Sequence, residues 1–271
     1  MEANKILFIS QEIAPYLNDS PTSLKCRDLP QGLQELGAEV RMFMPKYGYI
    51  NERRNQLHEV IRLSGMNIII DDTDHPLIIK VATLQPSRMQ VYFIYNDDYF
   101  ARGLTKELET ASNPEENDER AIFYVRGVIE SVRKLRWNPD IIQCNGWISA
   151  LTPLYMRDIY ANDASFRDAK IIYSLWNDDF QEPINSRMAE KMLQDGISKA
   201  NIEHLLDKPV THFDLTRLAI EHADAIAQCS PEINPEIEAL AKESGKPFLP
   251  YQDPADDTKA FEQFYDMLMG K

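Results

Sequence analysis

The sequence predicts an α/β fold built on one doubly wound, mostly parallel sheet. Two observations carry that expectation. Short apolar runs rich in Ile, Val and aromatic residues read as buried strands. Between them lie longer segments with apolar residues at three- and four-residue spacing, which read as helices. Strand–helix alternation builds parallel strands covered on both faces. A third observation marks an exception: "MNIIIDDTDHPLIIKVATLQ" (66–85) has two strand-like runs with no helix between them, so it reads as an inserted antiparallel hairpin at or beside the sheet.

In chain order, "KILFIS" (5–10) is the first strand, followed by a helix over 22–37 and a strand at "EVRMFM" (39–44). After the hairpin comes "MQVYFIY" (89–95), then the polar, solvated stretch "ETASNPEENDER" (109–120), with Asn117 or Asp118 placed to cap a helix over 118–136. "DIIQC" (140–144), a helix over 147–161, "KIIYSL" (170–175), a helix over 212–222 and "DAIAQCS" (224–230) continue the alternation. "SPEINPEIEALAKESGK" (230–246) reads as a helix opened by Ser230 with Pro231 at its first position. Residues 251–271 read as a turn and one amphipathic helix. No repeat, low-complexity tract or flexible linker interrupts the chain, so residues 1–245 read as one domain and 246–271 as a tail helix packing back on it.

The chain has 271 residues, 44% hydrophobic and 27% charged, with a formal net charge of -14. An acidic surface disfavours nucleic acid, whose phosphates need cations, and anionic membranes. Three scattered cysteines without a CxxC pair suggest neither a disulfide framework nor a zinc site. The apolar run at the N-terminus is too short for a signal sequence, and no run approaches the roughly 18 apolar residues of a membrane span. A cytoplasmic protein without cofactor or metal is expected.

Ligands of doubly wound sheets bind beyond the carboxyl ends of the strands, which selects the loops at 12–25, 45–50, 96–102, 145–148 and 176–181. The first has no glycine between Gln11 and Asp28, so it cannot cradle a phosphate on bare backbone. Asp72-Thr73-Asp74 has the D-x-D form of some metal-using sugar transferases, but it falls at a hairpin turn, which favours Asp for its own geometry. "YNDDYF" (95–100) and "WNDDFQ" (176–181) echo each other; their acids, Asp98 among them, suit either acid–base work and sugar hydroxyls or the capping of strand-to-helix corners, and capping is favoured. The five histidines share no metal-ligand spacing and lie outside these loops, so structural roles are expected. Cys144 has no activating base in sequence and reads as a small buried residue. Tyr47, Trp147 and Trp176, with Tyr99 and Phe180, offer flat faces for sugar rings, and Asn96, Asn145, Asn177 and Gln181 offer amides; simple core or corner packing is the competing account for each.

Over most of residues 4–240 the chain resembles the N-terminal domain of glycogen and starch synthases. The resemblance runs through "EIAPY" (12–16), "LPQGLQELGAEVRMFMPKYGYI" (29–50), "YFARGL" (99–104), "ENDERAIFYVRGVIE" (116–130), "WNPDIIQCNGWISALTPLYMR" (137–157) and "HADAIAQCSPEI" (222–233). It implies the two-domain GT-B fold and glucose transfer from ADP-glucose to an α-1,4-glucan. The family's K-x-G-G-L turn corresponds to Asn18, Asp19, Ser20, Pro21 and Thr22. Its H-D-W-H corner corresponds to Asn145, Gly146, Trp147 and Ile148, and a strand-end His-Asn pair to Trp176 and Asn177. The active-site motifs are therefore degenerate. The chain ends about 40 residues after "CSPEI" (229–233), and its tail resembles the family's closing helix, so the second, donor-binding domain is expected to be absent. The resemblance then implies a noncatalytic or partner-dependent domain that binds an α-glucan or a protein, with ADP-glucose not expected to bind. The alternatives are an active transferase and a pure protein-interaction module.

Overall fold

The computed structural model describes residues 5–17, 20–101 and 115–270. The strands are β1 (Lys5–Ser10), β2 (Glu39–Pro45), β3 (His58–Glu59), β4 (Met66–Ile70), β5 (Thr73–Leu84), β6 (Met89–Tyr95), β7 (Ile141–Asn145), β8 (Lys170–Leu175), β9 (Ala225–Gln228) and β10 (Phe248–Leu249). They run in the order β10-β9-β8-β7-β1-β2-β6-β5-β3, with β4 paired to β5. From β10 to β6 every pairing is parallel, and β5 adds antiparallel to β6. The central strands are apolar on both faces: Ile6 to Ile9 and Ile141 to Ile142 are fully buried.

The hairpin forms as its sequence predicts. Ile70 pairs with Thr73, and Asp71 and Asp72 between them take φ of 49° and 61°, the left-handed pair of a tight two-residue turn. Of the D-x-D residues only Asp72 lies in this turn, while Thr73 and Asp74 open β5; the neighbouring Asp71 accepts two hydrogen bonds from the Arg187 guanidinium, each 2.7 Å.

The longer helices are α1 (Pro21–Glu35), α2 (Asn117–Leu135), α3 (Thr152–Asp158), α4 (Met188–Gln194), α5 (His212–His222), α6 (Pro235–Glu243) and α7 (Asp257–Leu268). Three expectations are corrected. Neither Asn117 nor Asp118 caps α2. Asn117 is already helical and accepts from Arg120, while Asp118 pairs with Lys191 at 2.6 Å. The helix after β9 opens at Asn234, whose side chain accepts from the Glu236 N–H, with Pro235 at its first position. Ser230 is unavailable for that task because its hydroxyl accepts the Asn177 N–H. The segment 147–161 splits into a 3-10 turn, Trp147–Ser149, and α3.

Helix α7 packs against α1 and the sheet. Phe261 and Tyr265 of α7 are fully buried, the Tyr265 hydroxyl donates to the Gln143 side chain in β7, and Lys25 of α1 pairs with Asp257 at 2.7 Å. The α1–α7 crossing is tight because position 32 is glycine: a Cβ there would sit 2.2 Å from Thr258 Oγ1 and 2.8 Å from its Cγ2. Gly32→Ala should therefore destabilise the fold by about 1–3 kcal/mol, the usual range for overpacking. Thr258→Ala should restore part of that loss. Urea denaturation of the two single variants and the double variant gives the coupling, and strict additivity would show that the crossing is not this close.

Candidate functional site

In the strand order, the chain runs outward from β1 to β2 and β6, then returns to place β7 on the other side of β1. The switch point between β1 and β7 is where an open α/β sheet opens a crevice for ligand. Here the chain itself closes that crevice. The Gln11 N–H donates to the Asn145 carbonyl at 2.9 Å, and the Asn145 amide faces Ser10 Oγ at 3.4 Å. Gly146, at φ 85°, lies so close that a Cβ would sit 2.6 Å from Gln11 Cβ. Trp147 and Trp176 are 2% and 4% exposed, and the gap among Phe8, Cys26, Asn145 and Trp176 holds no water-sized space.

Most of the aromatic faces named from sequence are therefore packing residues. Tyr47 is fully buried and donates to the Gln11 carbonyl at 3.0 Å. Tyr99, also buried, donates to Glu119 at 2.6 Å and lies 2.8 Å from His75 Nε2. Burial and the Glu119 carboxylate push its phenol well above the usual range. Burial would raise Glu119, but the Lys191 and Tyr99 hydrogen bonds prevail and hold it below its ordinary value. The buried Asn96 caps the short helical turn Asp97–Phe100, accepting the Asp98 N–H at 2.8 Å. The Asp98 carboxylate meets His75 Nδ1 at 3.1 Å. Asn177 and Gln181 are exposed, and Asn18 and Asp19 lie outside the described residues.

The echo loop at 176–181 behaves differently from its partner. Asp178 accepts the Trp147 backbone N–H at 3.0 Å, and Asp179 accepts from Asn234 at 2.9 Å. Their other oxygens flank His212, the first residue of α5: Asp178 Oδ1 is 3.3 Å from Nε2 and Asp179 Oδ1 is 3.2 Å from Nδ1. Phe180 stands edge-on between the Trp147 and His212 rings. Burial would lower the pKa of His212, yet the hydrogen bond to Asp178 and the two carboxylates outweigh it and hold the imidazole above its ordinary value. The two acid-bearing loops thus belong to separate networks, and His212, expected to be structural, is buried where the second loop closes.

Among the described residues, two of the openings near the strand ends adjoin α1 or the loop after β2. A groove of about 480 Å³ follows β2, bounded by Pro15, Tyr16, Tyr49, Asn51, Arg54 and Asn55. Tyr49 is 41% exposed, and Asn51 is held by the Arg54 N–H, at 2.8 Å, and by the Asn55 amide. Sequence reasoning reached this loop at 45–50 but stopped before residues 51–55; the run "YGYINERRN" holds aromatics, amides and arginines together. The second opening, about 390 Å³ between α1 and α7, is mostly apolar, with Leu24, Leu29, Pro231 and Tyr251 around the Lys25–Asp257 pair.

Residues 5–246 match the family described as the starch synthase catalytic domain. The chain is 34% identical over 234 residues to a glycogen synthase of Pelodictyon phaeoclathratiforme, covering 86% of this chain and 47% of the relative. It is 35% identical over 229 residues to a glycogen synthase of Chlorobium phaeobacteroides, with 82% and 47% covered. It thus spans about half the length of these curated relatives. The catalytic domain of starch synthase IV from Arabidopsis thaliana, solved with ADP and acarbose, superposes with a TM-score of 0.75 at 18% identity, over 93% of this chain and 52% of that one. That likeness is one of fold.

Two outcomes follow from this burial. Trp176→Ala should cost about 3–5 kcal/mol, as truncation of a packed core aromatic does, whereas the exposed Asn177→Ala should stay within about 0.5 kcal/mol. Chemical denaturation compares them, and a mild Trp176→Ala would contradict the packing account. Burial also pushes the Cys144 and Cys229 thiols up to about 12 and about 11, and Cys26 higher still. Iodoacetamide at pH 8 should leave all three unmodified in the native protein and alkylate all three in urea; mass spectrometry counts the adducts.

Proposed function

The chain belongs to the starch synthase catalytic domain family, and we propose that it serves glucan metabolism as a noncatalytic, acceptor-side domain that binds an α-glucan. The observation that carries this reading is a contrast between two places on the same sheet edge. Where the family keeps its histidines, Asn145 and Trp176 are buried and the crevice is closed. After β2, the groove beside Tyr49 stays open, with amides and a guanidinium along it. A flat ring flanked by such groups suits a sugar, whose faces are apolar and whose rim is hydroxylated.

The expected failure to bind ADP-glucose has its own support. The first amides of α1 are a natural phosphate site, but Ser20 Oγ already accepts the Ser23 N–H at 3.0 Å. The same hydroxyl donates to Glu12, a buried carboxylate beside the helix terminus. In this reading residues 1–245 form the acceptor-side domain and 246–271 its tail. Three buried, unpaired cysteines fit a reducing, cytoplasmic setting. A protein partner is the second reading, and the mostly apolar opening between α1 and α7 favours it. Transfer of glucose from ADP-glucose, with a donor domain supplied in addition, is the third.

Calorimetric titration with maltoheptaose and, separately, with ADP-glucose tests these readings. Maltoheptaose should bind, ADP-glucose should not, and Tyr49→Ala should weaken the glucan at least tenfold, about 1.4 kcal/mol. Glucan binding that survives Tyr49→Ala would remove the groove from the account. ADP-glucose binding would restore the transferase, and silence from both sugars would leave the protein partner.

A further inference from the structure

We propose that Asp178, Asp179 and His212 form a binding site for a first-row divalent cation, Zn²⁺ or Mn²⁺ in chemical type. One donor atom from each residue can be chosen so that all three lie within 4.8 Å of one another. Ligands about 2.1 Å from one ion lie roughly 3.0–3.4 Å apart when adjacent and roughly 4.2 Å apart when opposite. The two carboxylates approach different ring nitrogens, Nε2 and Nδ1, and an imidazole gives one nitrogen to one ion, so one carboxylate must swing round the ring for the trio to converge. One imidazole with two carboxylates is a donor set for Zn²⁺ or Mn²⁺ rather than for the all-oxygen preference of Ca²⁺ or Mg²⁺.

The second observation is independent of the residue types. His212 is 5% exposed, and its Nδ1 makes no hydrogen bond; neither does Asp179 Oδ1, 3.2 Å away. Two buried polar atoms face each other at the spacing of adjacent ligands, but out of line for N–H···O bonding. The Asp178 contact, at 3.3 Å, is longer than the roughly 2.7–2.9 Å of a charge-assisted hydrogen bond. The outer oxygen of each carboxylate is meanwhile tied down, Asp178 by the Trp147 N–H and Asp179 by Asn234. Such outer hydrogen bonds orient metal ligands, and here they leave the inner oxygens turned to the ring. An opening of about 320 Å³ lined by Asn177, Asp179, Glu232 and Asn234 borders the cluster on its Asp179 side and does not reach Asp178 or His212. The site is separate from the Tyr49 groove and does not depend on the glucan reading.

The test is calorimetric titration of metal-free protein with ZnCl₂ and, separately, MnCl₂. One Zn²⁺ or Mn²⁺ per chain is expected, with a rise in Tm. Asp179→Asn and His212→Gln should each weaken binding at least tenfold. Asp179→Asn keeps the side-chain size and an oxygen for the Asn234 amide, so with an unchanged circular dichroism spectrum its loss of binding reports the ligand and not the fold. Co²⁺ should give visible d–d bands in the wild type that weaken in both variants. A wild type that binds neither cation stoichiometrically would overturn the proposal, leaving an ion-paired histidine. So would variants that bind as well as wild type, since the ions would then be held by surface carboxylates of this acidic chain.

Discussion

The Tyr124 hydroxyl, fully buried in α2, lies 2.9 Å from both the Ser10 and the Phe43 carbonyl oxygens. Ser10 ends β1 and Phe43 lies two residues before the end of β2, close to where the chain leaves the sheet for the loops that border the crevice and the groove. Burying a phenol without a partner costs on the order of 1–3 kcal/mol, so helix and strand ends are positioned jointly. Tyr47 then ties the second loop to the first through the Gln11 carbonyl. The path of both loops is thus set from beneath by two hydroxyls in the core.

Above this anchor the same edge is used in two ways. At the switch point, Asn145, Trp147 and Trp176 fill space and satisfy the backbone. Beyond β2, the loop keeps its ring and amides at the surface. A packed crevice gains stability from dispersion and water exclusion, which an open active site forgoes. The pairing of Trp147 with the 176–181 loop through Asp178 extends that packing from β7 to the start of α5.

How much of this was readable follows from how local each signal is. β1, β6 and β8 match their sequence bounds because runs such as "KILFIS" and "KIIYSL" are apolar on both faces, and the turn at Asp71–Asp72 matches because both residues tolerate positive φ. Ser230 has the look of a helix cap, but its hydroxyl is committed to Asn177, 53 residues away. Nothing in sequence spacing brings His212 to Asp178 across 34 residues. Burial of Trp147 and Trp176 was equally hidden, since an indole in a loop reads the same whether it caps a core or faces a ligand. Residues 51–55 carry no distinguishing signal, because a polar loop after a strand is ordinary composition.

The position of β1 carries a kinetic consequence. It precedes every other described strand in the chain, yet it sits mid-sheet with β7 on one side, and the Lys5 N–H is satisfied by Asp140, 135 residues further on. Tyr265 closes on Gln143 from 122 residues away. A chain with such distant pairings pays its loop-closure entropy before the contacts repay it, so it folds slowly. Until residues 141–145 have left the ribosome, β1 presents one unpaired apolar edge, and until α7 follows, one side of α1 is bare. Such transiently exposed apolar surface is prone to aggregation, and strand β5, paired locally with β3, β4 and β6, belongs to the region that can form while the centre waits.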